Sequence, residues 1–355
     1  MSTYEKFVRM LQEKWQIEEL PESPLLRPDD GYFTFSPFQD TEENFDSLKS
    51  TSSIFVKYQP TIRKLNALDL TNPLNLNYQT TYAVQKYQRS NQIDLIKQLL
   101  EVTREELFPQ IAATEVEITY PDILHAYFAQ RKFDFKLNEV ETTDRYLCKL
   151  DIPGKHYYIK VRMKFKTGSI NVVDFVLVDY DSSDFSSQLD SIWVENLIDL
   201  LTENKRFIFD EAKYQSEKAI VSKYTDRPRD QHVIINDVRT VLKVMSLGIY
   251  PAAKGINSEV KRKIRHLYFY YIYYVNTDID ELVSVVEQIG KSENYSADIL
   301  TIFTDNLRAT QKNYRAAVKT VEKKNLTREV AQSSLGLPDE YYGDFLHNWH
   351  SEYDF

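Results

Sequence analysis

The sequence has 355 residues, of which 42% are hydrophobic, so it is long enough to bury a sizeable core and predicts two domains of roughly 150 residues each. Its formal net charge is −9, so the average field of the protein repels polyanions. The single cysteine, Cys148, excludes an internal disulfide and a zinc site made of several thiolates, and the eight glycines are too far apart for a Walker or a dinucleotide-binding loop.

The first two thirds of the chain predict a mixture of helices and strands. Residues 1 to about 20 are typical of an amphipathic helix, which the two prolines of LPESP end. Strands are predicted from GYFTF through SSIFVKYQPTIRKLNAL, and in TEVEITY, HYYIKVRMKF and INVVDFVLVDY. The last run is almost entirely apolar, which predicts a central position in a sheet. Helices are predicted in SNQIDLIKQLLEVTREEL and in SIWVENLIDLLTENKRF.

From about residue 228 the pattern is helical throughout. Five amphipathic segments follow one another, separated by Gly, Pro, Ser or Asn. The polar stretch YTDRPRD, residues 224–230, predicts a boundary that divides the chain into domains 1–227 and 228–355. The predicted fold class is therefore α+β, followed by an all-α helical domain.

The segment KGINSEVKRKIRHLYFYYIYY, residues 254–274, concentrates positive charge in an acidic chain. Lys261, Arg262, Arg265 and His266 have the spacing of one helical face. Such a face suits a polyanion, because counterion release depends on the phosphates that are neutralised locally. An ordinary solvated helix surface is the alternative. The aromatic run that follows provides either stacking surfaces or the interior of a helix buried on several sides, and burial is the favoured interpretation.

The overlapping stretch GIYPAAKGINSEVKRKIRH, residues 248–266, resembles the stretch of alanyl-tRNA synthetases that follows the catalytic core and introduces a tRNA-contacting helix. Gly248, Pro251 and Gly255 match its glycines and proline, and the four basic residues occupy its paired basic positions. Arg239 matches the arginine of the helix that precedes it. SPLLRPDDGYFTFSPFQD, QPTIRKLNALDLTN and LTREVAQSSLGL resemble further segments of the family in the same order.

The resemblance covers about residues 1 to 345 and implies a class II synthetase fold, in which an antiparallel sheet flanked by helices precedes a helical tRNA-recognition domain. It implies that a tRNA acceptor stem binds through the helix at 258–266. The implied RNA contacts are Arg239, Lys261, Arg262, Arg265 and His266. The editing and C-terminal domains of the family have no counterpart in the sequence.

The same resemblance implies an ATP site and an amino-acid pocket. Its ATP or adenylate residues are Arg63, Asp69, Tyr82 and Glu195. Asp174 matches an asparagine of the amino-acid pocket, and Asp190 lies beside the position of the carboxylate that meets the substrate ammonium. Exposed loop or strand-edge carboxylates are the alternative for both aspartates.

Four positions differ from the ATP site of the family, and the differences at residues 193 and 196 oppose ATP binding. Tyr78 and Val84 replace an arginine and a glutamate of the family, and Trp193 and Asn196 replace a glycine and an arginine. An indole at position 193 is expected to fill the space that glycine leaves for the adenine. Each missing charge-assisted hydrogen bond costs roughly 1.5–3 kcal/mol, so the absence of several is expected to abolish activation.

Three functional hypotheses follow. The favoured one is a catalytically degenerate alanyl-tRNA synthetase-like protein that binds a tRNA-like acceptor or a protein partner. The second is a ligase that uses ATP and Mg²⁺ to adenylate alanine or a similar amino acid, for tRNA or a non-tRNA acceptor. The third is an interaction scaffold with neither ligand.

No metal site and no membrane partner are predicted. His347 and His350 have helical spacing, but a solvated tail is the favoured interpretation. No stretch approaches the ~20 apolar residues of a membrane span, and with a single cysteine we expect a cytoplasmic protein.

Overall fold

The computed structural model describes residues 2–27, 31–37, 53–63, 65, 74–87, 92–148, 155–165, 168–179 and 188–343. The chain forms two compact units. The first contains Met1–Pro28, Phe33–Thr61 and Gln79–Arg206, and the second contains Asp29–Tyr32, Ile62–Tyr78 and Phe207–Phe355. The chain therefore divides after Arg206, while the domain boundary at residue 227 stays a prediction.

The first unit is built on one mixed sheet. Its nine strands within the described residues are β1 (Ile17–Leu20), β2 (Ile54–Ile62), β3 (Tyr78–Tyr87), β4 (Val116–Pro121), β5 (Lys136–Val140), β6 (Leu147–Cys148), β7 (Lys155–Phe165), β8 (Gly168–Asp179) and β9 (Gln188–Val194). The order is β1-β2-β3-β9-β8-β7-β4-β5, with β6 paired to β7. The nearly apolar strand β8 lies in the interior of the sheet, as predicted.

The sheet differs in one respect from the expected antiparallel arrangement. The pairs β3–β9, β9–β8, β8–β7 and β7–β4 are antiparallel, but β1–β2 and β4–β5 are parallel. Parallel neighbours need a crossover connection. Between β4 and β5 this crossover contains the short helix α3 (His125–Ala129), whose Phe128 stacks on Tyr120 with ring centroids 4.0 Å apart.

Three further helices belong to the first unit: α1 (Thr3–Gln12), α2 (Gln92–Leu107) and α4 (Glu195–Thr202). Ser2 begins α1 with a capping box in which Glu5 is the partner, and so satisfies two of the free N–H groups. Phe7 of α1 packs on Tyr82 and Trp193, with ring centroids 5.5 Å apart in each case. The apolar core of the unit lies in this layer between helices and sheet.

Three sequence predictions are wrong, and one of them is the strand at GYFTF, where Phe33 makes only an isolated bridge to Leu26. The N-terminal helix ends at Gln12 rather than near residue 20, because residues 17–20 pair with Ile54–Lys57 as a strand. Residues 191–194, predicted as the start of a helix, are the end of β9, and the helix begins at Glu195. The predicted strands at β2, β4, β7 and β8 are confirmed, whereas β3, β5 and β6 were not predicted.

The second unit is helical, as predicted. Its helices are α5 (Gln215–Val221), α6 (Pro228–Ser246), α7 (Gly255–Tyr274), α8 (Ile279–Ser292), α9 (Ala297–Lys324) and α10 (Arg328–Leu335). The segment 62–78 joins this unit because Asn236 of α6 accepts from the backbone N–H of Asn77 and donates to its side-chain oxygen, both at 2.9 Å. Within the described ranges, no helix of either unit has the length and apolarity of a membrane span.

The aromatic run of α7 lies in the interior of the second unit, which confirms the burial interpretation. Tyr268, Tyr270 and Tyr271 are buried, and the hydroxyl of Tyr270 donates to Asp230 at 2.8 Å. The hydroxyls of Tyr273 and Tyr314 of α9 are 2.5 Å apart. These rings join helices to one another, and the other three aromatic residues of the run, Phe269, Tyr273 and Tyr274, are half-buried.

Candidate functional site

One face of the sheet in the first unit carries buried polar side chains. In an antiparallel pair, residues directly opposite each other point to the same face. Gln85 of β3 lies opposite Asp190 of β9, and Lys160 of β7 lies opposite Asp174 of β8. The buried polar residues on this face are Lys57, Gln59, Thr61, Thr81, Gln85, Thr119, His156, Gln188 and Asp190. We call it the polar face.

Asp190 is the most perturbed group of the polar face. Its side chain is almost fully buried, and one carboxylate oxygen accepts from the amides of Gln188 at 2.6 Å and Gln85 at 3.3 Å. Burial raises the pKa of this carboxyl to about 7, and the two amide hydrogen bonds oppose the rise without cancelling it. No cation pairs with Asp190 in the described part of the chain. An ammonium group would therefore be its natural complement.

The second predicted pocket residue lies beside it. Asp174 is half-buried and accepts from the side-chain amide of Asn171 at 2.9 Å. It lies opposite Ile192, two residues along β9 from Asp190, so the two aspartates are diagonal neighbours on the polar face. The structure thus brings together both residues that the sequence assigned to the amino-acid pocket.

Tyr82 and Glu195, predicted to bind ATP, lie on the opposite, helix-covered face. The hydroxyl of Tyr82 donates to Glu195 at 2.6 Å, and burial together with the charge of Glu195 raises the pKa of Tyr82. Trp193 is on the same face, packed against Phe7 and Phe175. Strand alternation turns Trp193 away from Asp190, so its indole does not fill space on the polar face, and the expectation that it occupies the adenine space stays a prediction.

The remaining ATP positions do not form a phosphate site in the first unit. Arg63 is an exposed residue of the second unit, whose backbone N–H donates to the carbonyl of Asn77 at 2.8 Å. Asp69 lies outside the described residues, as do the two histidines of the predicted solvated tail. Val84 and Asn196 are buried and uncharged. The described residues at these positions do not fit a triphosphate with its metal ion, which needs several cationic donors at one place.

In the second unit, the predicted basic face of α7 separates into two groups. Lys261 and Arg262 are exposed and make no hydrogen bond or ion pair with any described residue. Arg265 instead donates to the carbonyl of Gly336 at 2.6 Å and places its guanidinium 5.7 Å from the ring centre of Phe269. Two of the predicted RNA contacts are therefore available to a ligand, while Arg265 holds the end of α10.

His266 and the neighbouring Lys263 both reach Asp237 of α6. The ammonium of Lys263 is 2.7 Å from one carboxylate oxygen, and Nδ1 of His266 is 2.9 Å from the other. Burial opposes ionisation of Asp237, but the charge of Lys263 and the contact with His266 lower its pKa. Lys263 was not among the predicted site residues, although its spacing with Val260, Ile264 and Leu267 places it on the apolar face of the helix.

Arg239 is also ion-paired with residues of its own unit. Its guanidinium is 2.8 Å from Glu293, 3.8 Å from Glu217 and 4.6 Å from the ring centre of Tyr214. Burial opposes the charge of Arg239, yet Tyr214 and the two glutamates raise its pKa. Its placement gives no support to the predicted contact with RNA.

No protein-family model matches the chain, and no curated protein matches its sequence. Among solved structures, the chain is similar to a pyrrolysyl-tRNA synthetase from Desulfitobacterium hafniense, with 12% identity and a TM-score of 0.40 over 60% of this chain and 72% of that one. An S. aureus histidyl-tRNA synthetase shares 8% identity, with a TM-score of 0.36 over 57% of this chain and 67% of that one. An aspartyl-tRNA synthetase from Entamoeba histolytica shares 11%, with a TM-score of 0.37 over 59% and 56%. Likenesses this distant leave the activity of the chain to be argued from its own residues.

Proposed function

We propose that the chain is an aminoacyl-tRNA synthetase-like protein that binds the amino group of an amino acid or aminoacyl ligand on its polar face and a tRNA-like acceptor on its helical unit. It does not activate the amino acid through ATP in the manner of alanyl-tRNA synthetases. The observation that carries the proposal is Asp190, a buried carboxylate with a pKa near 7 and no cationic partner among the described residues.

The buried carboxylate of Asp190 has an energetic cost that a ligand could remove. A buried carboxylate without a cation destabilises the folded unit at neutral pH, and such groups cluster at binding and catalytic sites. A ligand ammonium next to Asp190 would remove this cost. Asp174, its diagonal neighbour, supplies a second carboxylate for the same cationic ligand.

The residues at the phosphate positions oppose ATP-dependent activation. Val84 and Asn196 offer no charge, and Tyr82 and Glu195 bond to each other on the helix-covered face. RNA binding is supported by the exposed Lys261 and Arg262, whose positions match the basic helix of the family.

Amino-acid-dependent exchange of pyrophosphate into ATP tests the catalytic half of the proposal. With a panel of amino acids we expect no exchange above background. Exchange that is removed by Arg63→Ala would establish the active ligase, the second candidate. That candidate is favoured by one observation, the placement of Asp174 and Asp190 as diagonal neighbours on one face.

Titration with an alanine amide tests the ligand half, because an amide keeps the ammonium but removes the competing carboxylate. We expect binding that Asp190→Asn weakens by about tenfold or more, since a charge-assisted contact is replaced by a neutral one. Equal affinity of the two proteins would contradict the role of Asp190.

The RNA half is tested with a tRNA acceptor-stem hairpin at low salt. We expect that Lys261→Ala together with Arg262→Ala weakens binding and makes it less dependent on salt. The matched control removes two exposed lysines of the first unit, Lys6→Ala with Lys14→Ala. Absence of binding to the unmodified protein at low salt would leave the interaction scaffold as the better hypothesis.

A further inference from the structure

A continuous basic stripe runs along the second half of α9. Arg308, Lys312, Arg315, Lys319 and Lys323 follow one another at intervals of four, three, four and four residues, and all five are exposed. At 100° per residue they fall within an arc of roughly 80°, and they extend over about 22 Å of the helix. We call these five residues the α9 stripe.

The opposite side of α9 holds the helix in the second unit. Phe303 and Leu307 are buried in its first half, and Ala317 and Val321 in its second half. Ala317 and Val321 form an apolar cluster with Ala331 of α10. The stripe therefore points away from the side of α9 that packs on the rest of the unit, and this packing holds the helix in place.

Acidic side chains are scarce along the stripe. Residues 308–323 contain five basic side chains and one acidic one, Glu322, although the whole chain has a net charge of −9. Of the five cations, Arg308 contacts the exposed Asp280 at 2.8 Å. The other four make no hydrogen bond or ion pair within the described part of the chain.

This arrangement costs helix stability. Like charges four residues apart repel each other, and the stripe contains three such pairs, Arg308 with Lys312, Arg315 with Lys319, and Lys319 with Lys323. Surfaces without a ligand ordinarily intersperse charges of both signs. A run of repelling cations in an acidic protein is instead suited to a polyanion, which would relieve the repulsion.

The dimensions of the stripe suit the backbone of a duplex. Successive phosphates of one strand of B-form DNA are about 3.4 Å apart along the axis, and those of A-form RNA are closer, so about 22 Å spans at least six nucleotides of a duplex. Ala309 and Ala316 flank the stripe on one side and are exposed, so no bulky side chain holds a backbone away there. Within the arc of the stripe, no side chain that could accept a hydrogen bond from a base lies between the five cations. This composition suits contacts with the phosphates rather than with the bases.

We propose that the α9 stripe is a surface on which the helical unit receives the phosphate backbone of duplex RNA. The inference rests on the proposed function, in which this unit binds a tRNA-like acceptor, and it adds a second contact surface to Lys261 and Arg262. The stripe acts through its charge and the spacing of its residues. Its contribution to RNA affinity is therefore independent of the RNA sequence and depends strongly on the salt concentration.

The test compares two triple variants by fluorescence anisotropy with a labelled RNA hairpin of twelve base pairs. The stripe variant carries Lys312→Ala, Lys319→Ala and Lys323→Ala, and the control carries Lys6→Ala, Lys14→Ala and Lys132→Ala, all at exposed positions. Both change the net charge from −9 to −12, since each removes three positive charges. Alanine preserves helix propensity at the exposed positions of α9.

For the stripe variant we expect the slope of log affinity against log salt to become shallower by about 2 to 3, at roughly 0.9 for each phosphate that is no longer neutralised. At 50 mM salt we expect an affinity loss of about tenfold or more, while the control stays within about twofold of the unmodified protein. If circular dichroism shows a loss of helix, the same three lysines are replaced by glutamine and the comparison is repeated.

The remaining outcomes separate the two proposals. If the unmodified protein does not bind the hairpin at 50 mM salt, the RNA half of the proposed function and the stripe inference fall together. If it binds and the stripe variant binds equally well, while Lys261→Ala with Arg262→Ala does not, only the stripe inference is overturned. Equal losses in the stripe and control variants would attribute binding to net charge and also overturn it. A stripe that is needed for binding polyglutamate but not RNA would indicate an acidic protein partner instead.

Discussion

Replacing Asp190 by asparagine should remove a specific pH dependence of stability from the first unit. The folded pKa of about 7 lies above the ordinary value of 3.8, so between these pH values the folded unit holds a proton that the unfolded chain has released. The free energy of unfolding therefore falls as the pH rises through this window. At about 1.36 kcal/mol per pH unit, the full effect is about 4 kcal/mol, of which about 2.6 kcal/mol falls between pH 5 and pH 8.

Urea unfolding at pH 5 and pH 8 measures this effect. Trp193 is buried on the same strand as Asp190, and its fluorescence follows unfolding of the first unit. The free energy of unfolding falls by about 2 kcal/mol per molar urea. From pH 5 to pH 8 we therefore expect the urea midpoint of the unmodified protein to fall by about 1.3 M relative to that of Asp190→Asn. At pH 8 the asparagine variant should be the more stable protein.

The control is Asp174→Asn, which changes the same chemical group at a half-buried position on the same face. It should leave the difference between pH 5 and pH 8 intact. Parallel loss of stability by the unmodified protein and Asp190→Asn would refute the reasoning, because it would mean that Asp190 is already compensated in the folded state. The alanine amide adds a functional check, since its affinity should rise with pH up to about 7, as the carboxylate forms.

Two further predictions concern the second unit and are measured by thermal unfolding. Lys263→Met leaves the carboxylate of Asp237 buried without its ammonium, so we expect a loss of about 3–5 kcal/mol, whereas Lys261→Met, exposed two residues earlier, should change stability by less than about 0.5 kcal/mol. Similar effects of the two would contradict the buried pair. Gly290→Ala would place a Cβ atom 2.1 Å from Cδ2 of Leu300, so we expect a loss of about 1–3 kcal/mol. Adding Leu300→Ala should recover part of that loss, and additive losses would contradict a steric clash.

The elements that the sequence predicts are those whose pattern is local. In β7, apolar and polar residues alternate over HYYIKVRMKF, and the buried positions of the strand follow that alternation. The helices from residue 228 onward each have an apolar face and a clear end, for example the left-handed Asn325 after α9. Such signals need no knowledge of the rest of the chain.

The elements that it missed are defined by their partners. Residues 17–20, IEEL, have no strand pattern of their own and become a strand because they pair with β2. Residues 188–194 run directly into α4, and only their pairing with β3 and β8 identifies them as β9. Because β3 was not recognised, the sequence could not show that Tyr82 and Gln85 point to opposite faces. The sequence therefore does not predict which face of the sheet each of the proposed ATP residues occupies.

The contrast between two buried aspartates is the main support for the proposed ligand site. Asp237 is as deeply buried as Asp190, but Lys263 and His266 both contact it, and its pKa is lowered. Asp190 is contacted by two neutral amides, and its pKa is raised. The first carboxylate has its cations supplied by the fold and needs nothing further. The second is left incomplete on a polar face, and a cationic ligand from solution is the partner that would complete it.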